Sequence, residues 1–266
     1  MSRIDKYRST PTTVLLSLAG AAIPLIAGLG LTLSLADQSL REANIRAGTM
    51  AVGQVDRLLM AALGTVEALE PLAGQRCETV LQAMRKEVAT NPWLRSASLL
   101  YKGQPYCNSV NGKKANSPTV GPEATGPLGD HQLQLRGPDT LYQDFGALAV
   151  MKLGATYGVK VTLDNRLLVD RLDLLSGTTD VALHVNGVYL WDDGSLVRGE
   201  LRQPFRYRAS TPSTQFEYEV HSSISAEDVL TLMTHQLVTV IGALAMMSIF
   251  TGGLCHWLLT RHRREP

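Results

Sequence analysis

Two apolar stretches decide the architecture of this chain: VLLSLAGAAIPLIAGLGLTLSLA at residues 14–36 and LVTVIGALAMMSIFTGGLCHWLL at residues 237–259. Neither stretch contains Asp, Glu, Lys or Arg. Because a helix of about 20 apolar residues crosses a hydrocarbon core of about 30 Å, each stretch predicts a transmembrane helix. The two spans divide the 266 residues into a tail at 1–13, a central segment at 37–236 and a tail at 260–266.

Basic residues flank both spans on the sides that face the chain termini. They are Arg3, Lys6 and Arg8 before the first span, and Arg261, Arg263 and Arg264 after the second. The positive-inside rule therefore predicts two cytoplasmic tails and a central segment outside the membrane. In a bacterium this describes a multi-pass inner-membrane protein with a periplasmic central domain, an arrangement typical of sensors. The first span is longer than the core of a signal peptide, about 7–15 residues, which favours an uncleaved anchor in the lipid bilayer.

The charge distribution excludes one class of partner. Six of the 25 Lys and Arg residues and two of the 24 Asp and Glu residues lie in the tails, so the central segment carries a net charge of about −3. Binding to nucleic acid needs clustered Lys and Arg, and no nucleic-acid partner is therefore expected. The second span holds no ionisable residue other than Cys255 and His256, so a transporter or channel, which needs intramembrane polar groups, is also unexpected.

A helical pattern continues beyond the first span and stops at Pro71. Its apolar residues follow a heptad spacing: Val52, Val55, Leu59, Ala62, Val66 and Leu69. Two interpretations are open, because this seam either packs against a sheet of its own domain or forms the interface of a homodimer. The spacing Ser248-x-x-x-Gly252 in the second span also permits close helix approach, which favours dimerisation.

The rest of the central segment predicts further helices and many short strands. A helix is expected at residues 78–90 and another after the N-cap Asp164, ending at Leu175. Strands are expected at residues 96–101, 105–110, 131–135, 147–152, 156–163, 181–185, 188–191 and 216–221.

Turns and loops separate these strands. Asn186-Gly187 is the strongest hairpin signal in the chain. Residues 111–130 contain four Gly and three Pro and predict a long surface loop. Ser225 begins the helix that enters the second span. The expected fold class is α+β: two transmembrane helices flank a PAS-like or Cache-like antiparallel sheet domain that has a long N-terminal helix.

Two of the three cysteines lie in the central segment. Cys77 comes at the start of the second helix and Cys107 on the second predicted strand, whereas Cys255 lies in the second span. The oxidising periplasm permits a disulfide, and a bridge from helix to strand is geometrically reasonable. Such a bridge closes a loop of about 31 residues and is worth about 3.7 kcal/mol by loop-closure entropy. A structural bridge and a regulatory bridge are both compatible with the sequence.

Tyr106-Cys107-Asn108-Ser109, on a strand, together with the earlier Cys77 and the two spans, resembles the CSS-motif sensor domain. Asn108 replaces the middle serine of that motif. In this family the domain is usually the N-terminal half of a bacterial cyclic-di-GMP phosphodiesterase with an EAL-type catalytic domain. The resemblance implies that Cys77 and Cys107 form a redox-responsive disulfide whose state is relayed through the second span. It implies as partners the periplasmic disulfide-forming machinery and a cytoplasmic phosphodiesterase.

No catalytic residues are expected in this chain. Glu67-Ala68-Leu69 spells the phosphodiesterase signature, but it lies on the external helix, and Pro71 occupies the position of the expected Arg. Only seven residues follow Leu259, so we expect a sensor and membrane anchor without a catalytic domain.

No cofactor or metal is expected either. The histidines show no metal-ligand spacing in the sequence; they are His131, His184, His221, His235, His256 and His262. An alternative function stays open, in which a small ligand occupies a cavity of the sheet domain and the disulfide is purely structural.

Overall fold

A computed structural model describes residues 11–113, 123–128, 130–137, 147–176, 179–199 and 205–261. The chain forms two compact units. One contains Met1–Arg41 and Glu227–Pro266, and the other contains Glu42–Ala226. The first helix, α1, spans Pro11–Leu69 and is followed by a 3-10 helix at Glu70–Leu72. The predicted stop at Pro71 is therefore confirmed.

The first unit holds the two apolar helical segments. Within the described residues, two helices are long and apolar enough to cross a membrane, one beginning at Val14 and one at Val240–Leu259. The second segment belongs to α4, which spans Ala226–Arg261. Ser248 Oγ donates a hydrogen bond to the Ala21 carbonyl, and a Cβ added to Gly252 would lie 2.9 Å from Ala21 Cβ. The small-residue spacing, predicted to favour dimerisation, thus serves a helix pair inside one chain.

The second unit contains two antiparallel sheets. The six-stranded sheet has the order β2-β1-β6-β5-β4-β3, and the five-stranded sheet has the order β10-β11-β7-β8-β9. The strands of the first sheet are β1 Leu94–Tyr101, β2 Gln104–Asn108, β3 Glu123–Leu128, β4 His131–Arg136, β5 Ala147–Leu153 and β6 Tyr157–Leu163. Those of the second are β7 Asp180–Val185, β8 Val188–Trp191, β9 Leu196–Arg198, β10 Phe205–Pro212 and β11 Glu219–Ser225. Helix α2 spans Cys77–Thr90 and α3 spans Asn165–Ser176.

These elements confirm the predicted α+β class with antiparallel sheets and a long N-terminal helix. Local signals explain why. Asp164 Oδ1 accepts a hydrogen bond from the Arg166 N–H at 3.0 Å, as an N-cap does. Asn186 and Gly187 both have positive φ, 42° and 80°, which is the backbone of a type I′ hairpin turn.

The core lies between α1 and the sheets. Every residue of the heptad seam is buried, from Val52 at 9% exposure to Leu59 at 0%. The seam shares one apolar cluster with Leu133 of the first sheet and Val220 of the second. The interpretation that the seam packs within its own domain is therefore confirmed.

Two sequence-based predictions need correction. Residues 111–130 are not one loop, because β3 lies within them; residues 114–122 and 129 fall outside the described part. Gly126 and Pro127 hid this strand, which tolerates them because it forms the edge of its sheet. The last strand begins at Glu219 rather than at residue 216. The preceding segment is a turn in which Ser213 Oγ accepts hydrogen bonds from the N–H groups of Gln215 and Phe216.

Candidate functional site

A disulfide joins the first residue of α2 to β2. Cys77 and Cys107 have their Cα atoms 5.3 Å apart. Both side chains are buried, and Cys107 Sγ lies 3.8 Å from Met84 Sδ. The bridge fixes the N-terminal end of α2 on β2, which is the outer strand of the six-stranded sheet among the described residues and pairs with β1.

Tyr106, the first residue of the motif, holds the turn that leads into Cys77. Its hydroxyl accepts a hydrogen bond from the Gly74 N–H at 2.9 Å and donates one to the Gln75 carbonyl at 3.1 Å. Gly74 has φ +91°, and a Cβ at this position would lie 3.3 Å from the Tyr157 ring. Partial burial raises the pKa of Tyr106, so its hydroxyl stays a donor at neutral pH. Tyr106, which precedes Cys107, thereby positions the turn that leads into Cys77.

Asn108, which stands where the family motif has serine, shapes the turn after β2. Its Oδ1 accepts hydrogen bonds from the N–H groups of Val110 and Asn111, at 2.8 and 3.2 Å. Its Nδ2 donates to Ser98 Oγ on β1 at 2.9 Å. Asn108 therefore has a structural role that a short side chain with an acceptor oxygen can fill.

Ser109 extends the pairing with β1 and also binds α2. It is buried, its Oγ accepts a hydrogen bond from the Ala97 N–H at 3.0 Å, and its own N–H donates to the Ala97 carbonyl at 2.9 Å. Arg85 of α2 donates from Nε to the Ser109 carbonyl at 2.9 Å. The motif is thus tied to α2 twice, covalently through Cys107 and by a hydrogen bond through Ser109.

An open cavity of about 830 Å³ lies beside the bridge. Cys77 forms part of its wall, and the other residues include three tyrosines, Tyr101, Tyr106 and Tyr157. Two of them, Tyr101 and Tyr157, have ring centroids 5.4 Å apart. Cavities with an aromatic wall and a few polar groups are where proteins commonly bind small molecules.

Helix α2 begins at Cys77, so the positive end of the helix dipole lies at the bridge, beside the Glu78 carboxylate. The first N–H groups of a helix have no partner within the helix, and Arg76 at the N-cap position makes no side-chain capping hydrogen bond. Lys113 pairs with Glu78 on the same rim, and this hydrogen bond lowers the pKa of Glu78. A thiolate formed at Cys77 on reduction would be stabilised here.

The structure also assembles a polar cluster that linear spacing did not indicate. His184 Nδ1 lies 2.7 Å from Glu219 Oε1, and His221 Nε2 lies 3.1 Å from the same oxygen. Burial alone would raise the pKa of Glu219, but hydrogen bonds from Ser210 and His184, together with the nearby His221 ring, lower it to about 2. The alternation Glu219-x-His221, which places both side chains on one face of a strand, was the available signal.

Comparisons with known proteins agree on the family of this chain. The family described as "CSS motif domain associated with EAL" matches residues 46–237. The probable cyclic di-GMP phosphodiesterase PdeD of Escherichia coli (strain K12) is 26% identical over 249 residues, which cover 88% of this chain. This chain spans only 45% of PdeD.

A solved structure, the ligand binding domain of Mlp24 with asparagine, is similar with a TM-score of 0.40 and 10% identity. The match covers 76% of this chain and 97% of that domain.

Proposed function

Because this chain belongs to the CSS-motif family associated with EAL, we propose that it is an inner-membrane sensor for cyclic-di-GMP turnover, with the Cys77–Cys107 disulfide as its redox-responsive element. In this proposal residues 37–236 lie in the periplasm and both tails lie in the cytoplasm. The observation that carries it is the position of the bridge, between the first residue of α2 and the motif strand, on the wall of an open cavity.

The surroundings of the two sulfurs support reversible reduction. The cavity gives a reductant a route to Cys77, whereas Cys107 is enclosed beside Met84. The N-terminal end of α2 stabilises the thiolate that reduction would leave on Cys77, and stabilisation of the reduced form makes a disulfide easier to reduce. The hydrogen bonds of Tyr106 and Arg85 do not involve the sulfurs, so we expect them to keep α2 on the motif strand when the bridge opens, while the end of α2 at Cys77 gains freedom.

The output is a phosphodiesterase in the cytoplasm, reached through the second span. Both cysteines share the apolar core with the α1 seam and with Val220 of β11. α4 begins at Ala226, directly after β11 ends at Ser225. A change at the bridge therefore has a packed route to the helix that enters the membrane. We propose that a cytoplasmic phosphodiesterase supplies the catalytic residues and that the signalling form of this chain is a homodimer.

A thiol-trapping experiment in growing cells tests the redox proposal. Free thiols are capped with a maleimide polymer, with and without a membrane-permeable reductant, while cyclic-di-GMP is measured in the same cultures. We expect Cys77 and Cys107 to be bridged without reductant, to become modified with it, and to change cyclic-di-GMP when they do. Cys255→Ser is the matched control and should alter neither result. A pair that is always reduced in untreated cells contradicts the proposal.

A second function is favoured by the cavity, in which a small molecule stacks on the tyrosines and the bridge is only structural. This function predicts that a Cys77→Ala/Cys107→Ala protein of normal abundance still signals. It also predicts that Tyr157→Ala, which removes a cavity wall, abolishes signalling with the bridge intact. The redox proposal predicts the reverse for both variants.

A further inference from the structure

The second sheet brings two imidazoles and one carboxylate to a single point. Glu219 and His221 lie two residues apart on β11, so their side chains project from the same face. His184 of β7 is the register partner of Glu219. Glu219 Oε1 lies between the two rings, 2.7 Å from His184 Nδ1 and 3.1 Å from His221 Nε2. One ligand atom from each residue lies within 4.8 Å of the other two.

One ring nitrogen of this cluster has no hydrogen bond. His221 Nε2 is buried and lies 3.1 Å from Glu219 Oε1, yet it has no hydrogen-bond partner among the residues that the structure describes. Buried polar atoms are almost always paired with protein, water or an ion. This nitrogen lies 3.1 Å from the carboxylate oxygen Oε1 of Glu219, a separation at which both atoms can bind one ion.

Neighbouring side chains hold the three groups in place. Tyr189 of β8 stacks on the His184 ring, with centroids 4.4 Å apart, and meets the His221 ring edge-on at 5.3 Å. Ser210 Oγ of β10 donates a hydrogen bond to Glu219 Oε2. With Oε2 held in this way, Oε1 is directed at the two rings, an arrangement that orients metal ligands in other proteins.

We propose that His184, Glu219 and His221 bind a divalent transition-metal ion, with Zn²⁺ as the best fit. Two imidazoles and one carboxylate form an established ligand set for Zn²⁺ with an open fourth position, at about 2.0–2.1 Å from each nitrogen. Imidazole nitrogen disfavours Ca²⁺ and Mg²⁺, which take oxygen ligands. The side chains of His184 and His221 are 21% exposed, so an ion can enter and a water molecule completes the coordination.

Binding requires one proton to move. His184 Nε2 accepts a hydrogen bond from the Gly187 N–H at 3.0 Å, so the ring proton lies on Nδ1 and points to Glu219. A metal at Nδ1 needs that lone pair, and the proton transfers to Nε2, with no net change in the charge of the ring. The Gly187 N–H then loses its acceptor and turns to water, which is possible because Gly187 lies in an exposed hairpin turn.

This site goes beyond the redox function and does not depend on it. The cysteines belong to α2 and the first sheet, whereas all three ligands belong to the second sheet. Two of the ligands lie on β11, the strand that precedes α4. The sensor domain would then carry two inputs of different chemistry, a thiol pair and a metal ion.

Zinc binding to the purified full chain in detergent tests the inference. The protein carries no histidine tag, its bridge is oxidised and Cys255 is blocked, so that no thiol binds the ion. Zn²⁺ alone is titrated against a chromophoric chelator. We expect one ion per chain, and at least a 100-fold weaker affinity for His221→Ala and for Glu219→Gln. Ser210→Ala, which frees the carboxylate, should cost about 10-fold. His131→Asn, a histidine of the first sheet, is the matched control and should bind as the parent chain does.

Two spectroscopic measurements keep the test independent of folding defects in the variants. Co²⁺ in place of Zn²⁺ should give visible absorption typical of four-coordinate nitrogen and oxygen ligation in the parent chain. The amide resonance of Gly187 should shift on Zn²⁺ addition more than that of Gly103, in the β1–β2 turn of the first sheet. Unchanged affinity in His221→Ala and Glu219→Gln, or a Gly187 amide that does not move at saturating Zn²⁺, would overturn the site.

Discussion

The two sheets of this domain hold their polar chemistry in opposite ways. In the first sheet the motif is cross-linked: the bridge and the Arg85–Ser109 hydrogen bond attach α2 to it, and the sulfurs are buried. In the second sheet no covalent link joins the cluster of His184, Glu219 and His221, and its side chains are partly exposed. Loss of a covalent link strongly lowers the free energy of unfolding. A partly exposed polar cluster contributes little to that free energy, and its side chains can bind a ligand.

Loss of the bridge is the largest effect that this comparison predicts. Cys107→Ser should lower the free energy of unfolding by about 3–4 kcal/mol, because the loop from residue 77 to 107 is no longer closed in the unfolded chain. The measurement is urea unfolding of the full chain in detergent, followed by tryptophan fluorescence. Cys255→Ser is the control and should unfold like the parent chain. A loss below about 1 kcal/mol would show that the bridge hardly constrains the unfolded chain.

The buried hydroxyl of Ser109 gives the next largest effect. Ser109→Ala leaves the Ala97 N–H without its acceptor in a buried position, which costs about 1–3 kcal/mol. Asn108→Ser is the matched variant next to it, because its hydroxyl can still accept the turn N–H groups, and it should cost less than half as much. Equal losses in both variants would contradict the role given to Ser109.

Tyr106→Phe should have a smaller effect on stability, and it should clearly raise the rate at which the bridge is reduced. It removes two hydrogen bonds to Gly74 and Gln75, worth about 1–2 kcal/mol together on this partly exposed surface. The turn before Cys77 should loosen, and the bridge should react several-fold faster with dithiothreitol. Tyr101→Phe is the control from the same cavity, since its hydroxyl has no hydrogen-bond partner in the described part of the chain. If Tyr106→Phe, like Tyr101→Phe, left the reduction rate unchanged, Tyr106 would have no influence on the reactivity of the bridge.

The smallest effect concerns the pH dependence of the second sheet. The pKa of Glu219, about 2 in the folded chain, lies below its ordinary value of 4.5. Its contribution to stability is therefore complete above pH 4.5 and is lost as the pH falls towards 2. Because the side chain is 36% exposed, solvent screening keeps this contribution below about 1 kcal/mol.

The pH prediction is checked by comparing urea unfolding of the parent chain and of Glu219→Gln at several pH values. The stability difference between them should shrink as the pH falls from 4.5 to 2.5. A chelator is added first, so that metal binding does not contribute to the difference. A stability difference that grows as the pH falls would contradict the prediction.

Local signals made most of the fold predictable. The Asp164 cap, the Asn186-Gly187 turn and the heptad seam of α1 each depend on residues that are close together in the sequence. The edge strand β3 was missed because Gly126 and Pro127 are usually signs of a loop, and only its place at the edge of the sheet explains them. The register that sets Glu219 opposite His184 depends on how β11 returns to β7, and no local pattern encodes such a return.

The candidate site was predictable in part for the same reason. The family resemblance pointed to Cys77 and Cys107, and the structure joins them. The resemblance did not indicate that Tyr106 holds Gly74 and Gln75, or that Arg85 donates a hydrogen bond to Ser109. These contacts join α2 and the turn before it to β2 and to the residue just after β2. Asn108 was the doubtful position of the motif, and its two turn hydrogen bonds give it a structural role.

The reduction potential of the Cys77–Cys107 bridge tests the central proposal most directly. The purified full chain is equilibrated in redox buffers of known potential, the thiols are trapped, and the fraction bridged is followed with Cys255 blocked. Structural disulfides of secreted proteins have potentials below about −300 mV, and labile, regulatory ones lie higher. We predict a midpoint above that value, reached reversibly from both directions. A midpoint well below about −300 mV would contradict a redox-responsive role and leave the bridge a structural link.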